Sequence, residues 1–221
     1  MLIINIHVAN RSGFPRPSRG IGLILAGAAI VATGIPAEPP PKKTSRYEMQ
    51  KQFVLSLLPQ ALSLQARKGI PASATVGMAI YESGWGQSQL AKQHNNLHGL
   101  KAGAAWNGEV VTMPTVDLGV RQFAEFRSFA TPAGGLEGFG EFLSSERYHP
   151  AFQEKTGPAF VSKVAAAGYC PDADYSANVK KIIEERNLGL LDTAAGGGPG
   201  TDQRQKERYW RKQQLRPGAG R

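Results

Sequence analysis

The sequence predicts an α+β domain, mainly α, on three observations. Apolar residues recur at three- and four-residue steps over most of the middle of the chain, the signature of helices with one buried face. One stretch, residues 95–127, breaks that rhythm with Asn95-Asn96, Gly99, Gly103, Asn107-Gly108 and Gly119 around short runs such as Glu109–Met113. That is the punctuation of a small β-ribbon. No internal repeat is present, so a single domain carries both patterns.

From Tyr47, the residues Phe53, Val54, Leu57, Leu58, Ala61, Leu62, Leu64 and Ala66 form the first helical stripe. Pro59 falls inside it, as a kink or as the first turn of a second helix. Ile70-Pro71-Ala72-Ser73 then stops one helix and starts another, with Ser73 the candidate N-cap. Val76, Ala79 and Ile80 give that helix an apolar face leading into Glu82. After the ribbon, helices are expected at Thr131–Ser145, with Leu136, Phe139, Phe142 and Leu143 as a stripe, at Ala159–Ala167, and at Tyr175–Arg186 with Val179, Ile182 and Ile183.

The two ends differ from this body. Arg11, Arg16 and Arg19 precede an apolar run from Ile21 to Ile35. Fifteen residues match the hydrophobic region of a signal peptide and fall short of the roughly 20 needed to span a bilayer. Pro39-Pro40-Pro41 argues against a packed core helix there. Residues 1–43 therefore read as an export signal or membrane anchor plus a Pro-rich linker. A cut after Ala37 would suit the small-residue requirement, although Pro36 is awkward beside it. Residues 44–193 form the domain, and 194–221, opened by Ala194-Ala195-Gly196-Gly197-Gly198-Pro199-Gly200, form a disordered basic tail.

The formal charge of +9 lies entirely in those ends. Residues 1–43 hold five basic residues against one acidic, and 194–221 hold seven against two; 44–193 hold fourteen of each. A neutral central domain excludes a nucleic-acid-reading surface there. Basic tails suit contact with anionic lipid or wall polymer. The one cysteine, Cys170, allows no internal disulfide and reads as a bland small residue. Of the four histidines only His94 and His98 have ligand spacing, and they flank Asn95-Asn96, a helix break; neither a metal site nor a cofactor is expected. Arg127, in an apolar run, reads as a structural ion-pair partner.

The chemistry concentrates in Ala79-Ile80-Tyr81-Glu82-Ser83-Gly84-Trp85-Gly86-Gln87-Ser88. A carboxylate there ends an apolar helix beside a tryptophan, and desolvation of that kind raises a carboxyl pKa. Glycosidic cleavage needs such an acid, protonated near neutral pH. The glycines allow close approach of backbone and sugar. Trp85 could wall a sugar face, with core packing the equal rival.

Several strings in register carry a resemblance. They are Glu-Ser-Gly-Trp-Gly-x-Ser from Glu82, Asn95-Asn96-Leu97-His98-Gly99-Leu100-Lys101, Trp106-Asn107-Gly108, Thr115-Val116-Asp117-x-Gly119, Phe126-Arg127-Ser128-Phe129, Arg147-Tyr148 and Ala167-Gly168-Tyr169-Cys170-x-Asp172-x-x-Tyr175. Together, from about Phe53 to Leu188, they resemble the glucosaminidase family of bacterial autolysins and flagellar-rod peptidoglycan hydrolases. The resemblance implies a lysozyme-like helical body with a small β-lobe flanking a glycan groove. It implies endo-acting hydrolysis of the β-1,4 bond on the reducing side of N-acetylglucosamine, with Glu82 as the catalytic acid. Asp117 corresponds to the second acidic position, where Glu is more usual; Glu109 is the alternative. Asn96 matches an Asn-Leu-x-Gly turn beside the acid, and Tyr169 and Tyr175 correspond to tyrosines near the groove. Trp85, Asn96, Tyr169 and Tyr175 are thus the candidate substrate-binding residues. The expected partner is the peptidoglycan glycan strand, met by a monomer exported to the periplasm or cell envelope, held at the inner membrane by the apolar segment if it is kept. The rival readings are a muramidase or lytic transglycosylase on the same fold, and a non-catalytic wall-binding protein.

Overall fold

A computed structural model describes residues 45–117 and 120–194, with the backbone alone at Asp117 and Ala194. The expected export segment, linker and basic tail lie outside the described residues, apart from the first residue of that tail. The order is α1 (Arg46–Lys68), α2 (Ala72–Ser83), α3 (Gln89–His94), β1 (Val110–Asp117), β2 (Val120–Arg127), α4 (Pro132–Leu143), a 3-10 segment (Glu146–Gln153), α5 (Gly157–Ala166), α6 (Tyr175–Glu185) and a second 3-10 segment (Leu188–Ala194). Mainly helical with one two-stranded antiparallel sheet, this is the α+β class the sequence predicts.

Helix α1 is a single helix, capped by Ser45 Oγ accepting from Glu48 N and closed by Gly69 in the left-handed region at φ 73°. Pro59 neither ends nor restarts it. Pro59 sits on the exposed side, where the carbonyl it frees can turn to solvent, while Val54, Leu57, Leu58, Ala61 and Leu64 anchor the opposite face.

Helix α2 runs through the centre of the domain, packed by α1, α5, α6 and the last 3-10 segment. Eleven of its twelve residues are buried, Tyr81 being the exception. Small residues make the close packing feasible: a Cβ on Gly77 would lie 2.7 Å from Ile183 Cγ1. Ser73 is not the N-cap expected of it. Pro71 occupies that position without a side-chain bond, and Ser73 lies one residue inside the helix.

The capping comes from far along the chain. The carboxylate of Asp192 accepts from Ser73 N (2.9 Å), Ser73 Oγ (2.6 Å) and Gly157 N (2.8 Å), so one side chain serves the first turns of both α2 and α5. Gln65 Oε1 accepts from Ala72 N at 2.6 Å. A helix start buried in a core has donors that water cannot reach, and a carboxylate there meets both the hydrogen bonds and the helix dipole.

The ribbon pairs Val110 with Arg127 through to Asp117 with Val120. Its inner face, Val111 and Met113 with Ala124 and Phe126, packs on Leu90 of α3 as a second small core. Leu100–Ala102 lies against the other side of β2 through Arg127 N to Leu100 O and Ala102 N to Glu125 O, both 2.9 Å. Among the described residues no helix is long and apolar enough to cross a membrane.

Replacing Asp192 by Ala strands three donors at once, two of them helix-end amides. Loss of about 3 kcal/mol is expected in urea unfolding, with Asp192→Asn losing less. A cost under about 0.5 kcal/mol for the alanine variant would refute the double-capping role.

Candidate active site

The string after α2 is a compact turn, and its residue types follow from backbone geometry. Gly84, Trp85 and Gly86 all have positive φ, at 57°, 63° and 72°. Gly84 closes α2 by donating to Ile80 O, and Trp85 N bonds the same carbonyl at 3.1 Å. A Cβ on Gly86 would lie 2.6 Å from the Phe53 ring, so glycine is required there by space as well as by φ. Ser83 Oγ accepts from Gly86 N at 2.7 Å, and Ser88 then caps α3 by accepting from Ala91 N. Glu82 is held in the last turn of a helix of which every residue but Tyr81 is buried.

Glu82 is buried, 8 % exposed as a residue, with its carboxyl group where the end of α2, the Asn95–Lys101 loop and the start of α6 meet. Burial pushes its pKa up to about 8, the neighbouring Tyr175 hydroxyl acting weakly in the opposite direction. Gly99, at φ 62°, lies on one side of the acid: a Cβ there would stand 3.6 Å from Glu82 Oε2. Tyr175 lies on the other side, its buried hydroxyl within hydrogen-bonding reach of the Glu82 carboxyl.

Asn96 fixes the loop that presents Gly99. Its Nδ2 donates to Leu100 O (2.9 Å) and Arg127 O (2.8 Å), and its Oδ1 accepts from Leu100 N (2.9 Å). The side chain is 2 % exposed and has three bonds to backbone. Tyr169 is fully buried and donates to His98 O at 3.1 Å. His98, stacked on Phe139 with centroids 3.7 Å apart, bonds Thr75 O through Nε2 at 3.1 Å. A carbonyl only accepts, so Nε2 carries the proton, and burial pulls the ring pKa down to about 4, keeping it neutral. His94 faces elsewhere, with Nδ1 against Ser128 Oγ.

Trp85 packs edge-on to Phe53 with centroids 6.3 Å apart and with Arg186 5.1 Å from its ring centroid. It is half-buried against the main core. Asp117 ends β1 opposite Val120, and its side chain lies outside the described residues. Glu109 stands at the other end of the ribbon, exposed, its backbone oxygen accepting from Trp106 Nε1 and Ser128 N. Among the described residues no carboxylate lies within ion-pair distance of Arg127, although the charge of Glu141 acts on it. Its guanidinium lies over Trp106 at 4.6 Å and Phe142 at 5.5 Å and donates from Nε to Lys101 O, since a planar, weakly hydrated cation stacks well on rings. Cys170 is buried beside the acid as a small filler.

Sequence reasoning missed one cluster. Tyr81 meets Tyr175 edge to face at 5.4 Å, and its hydroxyl lies between Asn178 Nδ2 (3.1 Å) and Asp172 Oδ2 (3.4 Å). The available signal was that Tyr81 directly precedes Glu82 and that Asn178 stands one helical turn after Tyr175. Chemically, the arrangement is a carboxyl group kept protonated at neutral pH at the edge of a dry aromatic wall, able to donate a proton to a ligand laid over it.

Comparison with known proteins points the same way. The model of the glucosaminidase family, described as mannosyl-glycoprotein endo-beta-N-acetylglucosaminidase, matches residues 58–188. The chain is 29% identical over 174 residues to the peptidoglycan hydrolase FlgJ of Pseudomonas aeruginosa, covering 74% of this chain and 44% of that protein. It is 29% identical over 161 residues to the exo-glucosaminidase LytG of Bacillus subtilis, covering 68% and 56%. The chain thus spans about half the length of these curated relatives. Among solved structures, the peptidoglycan hydrolase of Sphingomonas sp. A1 superposes with a TM-score of 0.57 at 27% identity, covering 67% of this chain and 96% of that one. The catalytic domain of the Listeria monocytogenes autolysin Auto gives 0.58 at 25%, covering 68% and 91%.

The raised pKa sets a stability test. The unfolded chain releases the Glu82 proton near 4.5 and the folded one near 8, so the fold favours the protonated form and loses stability as pH rises through that window. Glu82→Gln removes the titration. Relative to the wild type it should gain on the order of 4 kcal/mol between pH 4 and pH 9 in urea unfolding. An unchanged difference at the two pH values would contradict a desolvated acid.

Proposed function

The chain belongs to the glucosaminidase family, and from that premise we propose that it hydrolyses the peptidoglycan glycan strand at the β-1,4 bond between N-acetylglucosamine and N-acetylmuramic acid. The observation that carries this reading is the Glu82 carboxyl, held protonated near neutral pH by burial at the end of α2. The names of the relatives, peptidoglycan hydrolases and an autolysin among them, support the same substrate.

Glu82 is the general acid. Its proton passes to the glycosidic oxygen as the bond to the anomeric carbon breaks, and the departing sugar leaves as an alcohol. The anomeric carbon is then taken by the oxygen of a water, activated by Asp117, or by the oxygen of the substrate's own acetamido group before water completes the hydrolysis. Tyr175 donates a hydrogen bond to Glu82 that strengthens once the acid is charged. Asn96 and Tyr169 act from behind the acid, through the Gly99 loop and the His98 carbonyl. Trp85 offers the sugar only the ring surface that Phe53 and Arg186 leave uncovered. The enzyme acts as a monomer in the cell envelope, led there by the N-terminal apolar segment as an export signal or a membrane anchor.

Digestion of purified peptidoglycan, followed by borohydride reduction and mass spectrometry, tests the reading. New ends of reduced N-acetylglucosamine are expected, with Glu82→Gln slower by about 10³-fold. Ends of reduced N-acetylmuramic acid or its anhydro form would move the enzyme to the muramidase or transglycosylase class. No release from folded protein would leave a wall-binding module.

A general acid works only while protonated. The kcat/KM of the wild type should therefore fall as pH rises through about 8. An alkaline limb starting below pH 6 would mean that Glu82 is not the proton donor.

A further inference from the structure

We propose that Tyr81, Asp172 and Asn178 form a saccharide subsite beside Glu82, taking the N-acetylhexosamine unit next to the bond that is cut. The proposal rests on the hydrolase reading above and adds a binding site to it. Tyr81 is the one residue of α2 that is not buried, and it adjoins the acid in sequence. A helix surrounded by core presents a single side chain at the surface, and that side chain is aromatic with a polar tip.

The surroundings of Tyr81 are built to hold it in place. Its ring meets Tyr175 at 5.4 Å and 78°, and Tyr175 in turn reaches toward Glu82. The contact leads from the buried Tyr175 ring at the acid to the partly exposed ring of Tyr81. Its hydroxyl is fixed by Asn178 Nδ2 at 3.1 Å and leans on Asp172 Oδ2 at 3.4 Å. Asp172 is itself oriented, because Oδ1 accepts from Asp174 N at 2.9 Å. Asp172 and Asn178 are both exposed.

The cluster leaves unused bonding capacity facing solvent. Asp172 Oδ2 can accept from a sugar hydroxyl or an acetamido N–H. Asn178 retains its carbonyl oxygen and a second N–H, which match an acetamido group. Tyr81 adds an apolar ring for the face of the sugar. Oriented donors and acceptors around an aromatic ring, already ordered before binding, are what a polar ligand with one apolar face requires. The long contact between Tyr81 and Asp172 can open to admit a hydroxyl at little cost.

The test uses kinetics on soluble glycan strands stripped of stem peptides. Tyr81→Phe keeps the ring and removes the hydroxyl, and Asn178→Ala removes the amide. Each should raise KM by about fivefold, with kcat within about twofold and the alkaline limb unmoved. A cluster that only ties α2 to α6 would lower the melting temperature and leave KM alone, which would overturn the proposal. A defect seen only on strands that carry stem peptides would also overturn it. If the wild type cuts no glycan, the hydrolase reading fails separately, and binding of the same strands by calorimetry decides: weaker binding by both variants supports the subsite, and equal binding removes it.

Discussion

Everything in this domain depends on the burial of α2. A helix surrounded by core must satisfy its ends without water, and the two ends do so differently. At the N-terminus, Asp192 meets three donors, which offset the cost of placing a carboxylate at a largely buried site. At the C-terminus, Glu82 has no comparable set of donors among the described residues, the Tyr175 hydroxyl being the side-chain donor within reach, so burial dominates and its proton stays. The same packing thus holds one carboxylate as a structural clasp and makes the other an acid. The strain-free way to stabilise Glu82 would be to give it partners, and that would remove its usefulness; the instability it retains is of the kind found where function sets the residue.

The loop carrying Gly99 makes the second contribution. Asn96 gives its side-chain bonds to backbone, and Tyr169 and His98 tie the loop to α2 and to the aromatic cluster. Glycine at 99 lets this loop come against the carboxyl without covering it. The neutral imidazole matters too: a protonated His98 would place a positive charge in the dry layer behind the acid, where it would favour the ionised form of Glu82.

Much of this was legible in the sequence, and the reason is locality. The helical stripes, the glycine-punctuated ribbon, the Asn95 break and the placement of Glu82 at a helix end are all set by residues within one or two turns of each other. What the sequence concealed is set by distance. Ser73 has the right type and position for an N-cap, yet Asp192, 119 residues away, supplies the cap because the helix start is buried. Arg127 reads as an ion-pair partner until the fold brings Trp106 and Phe142 to its faces. For Trp85 the sequence leaves a sugar wall and core packing open, and the choice depends on Phe53 and Arg186, from α1 and just beyond α6, which lie against its ring. Family resemblance pointed to Glu82 and the Asn96 loop as candidates; it could not say which side chains would be committed to the core.

Tyr175 brings these lines together. Its hydroxyl is buried against the Glu82 carboxyl, which offers an acceptor oxygen whether or not it holds its proton. A hydrogen bond to a charged acceptor is roughly twice as strong as one to a neutral acceptor. The Tyr175 contact is therefore weaker while the carboxyl is protonated and stronger once the proton has left. On the proposed mechanism, an interaction that strengthens as the proton is transferred lowers the barrier while adding little to the resting state.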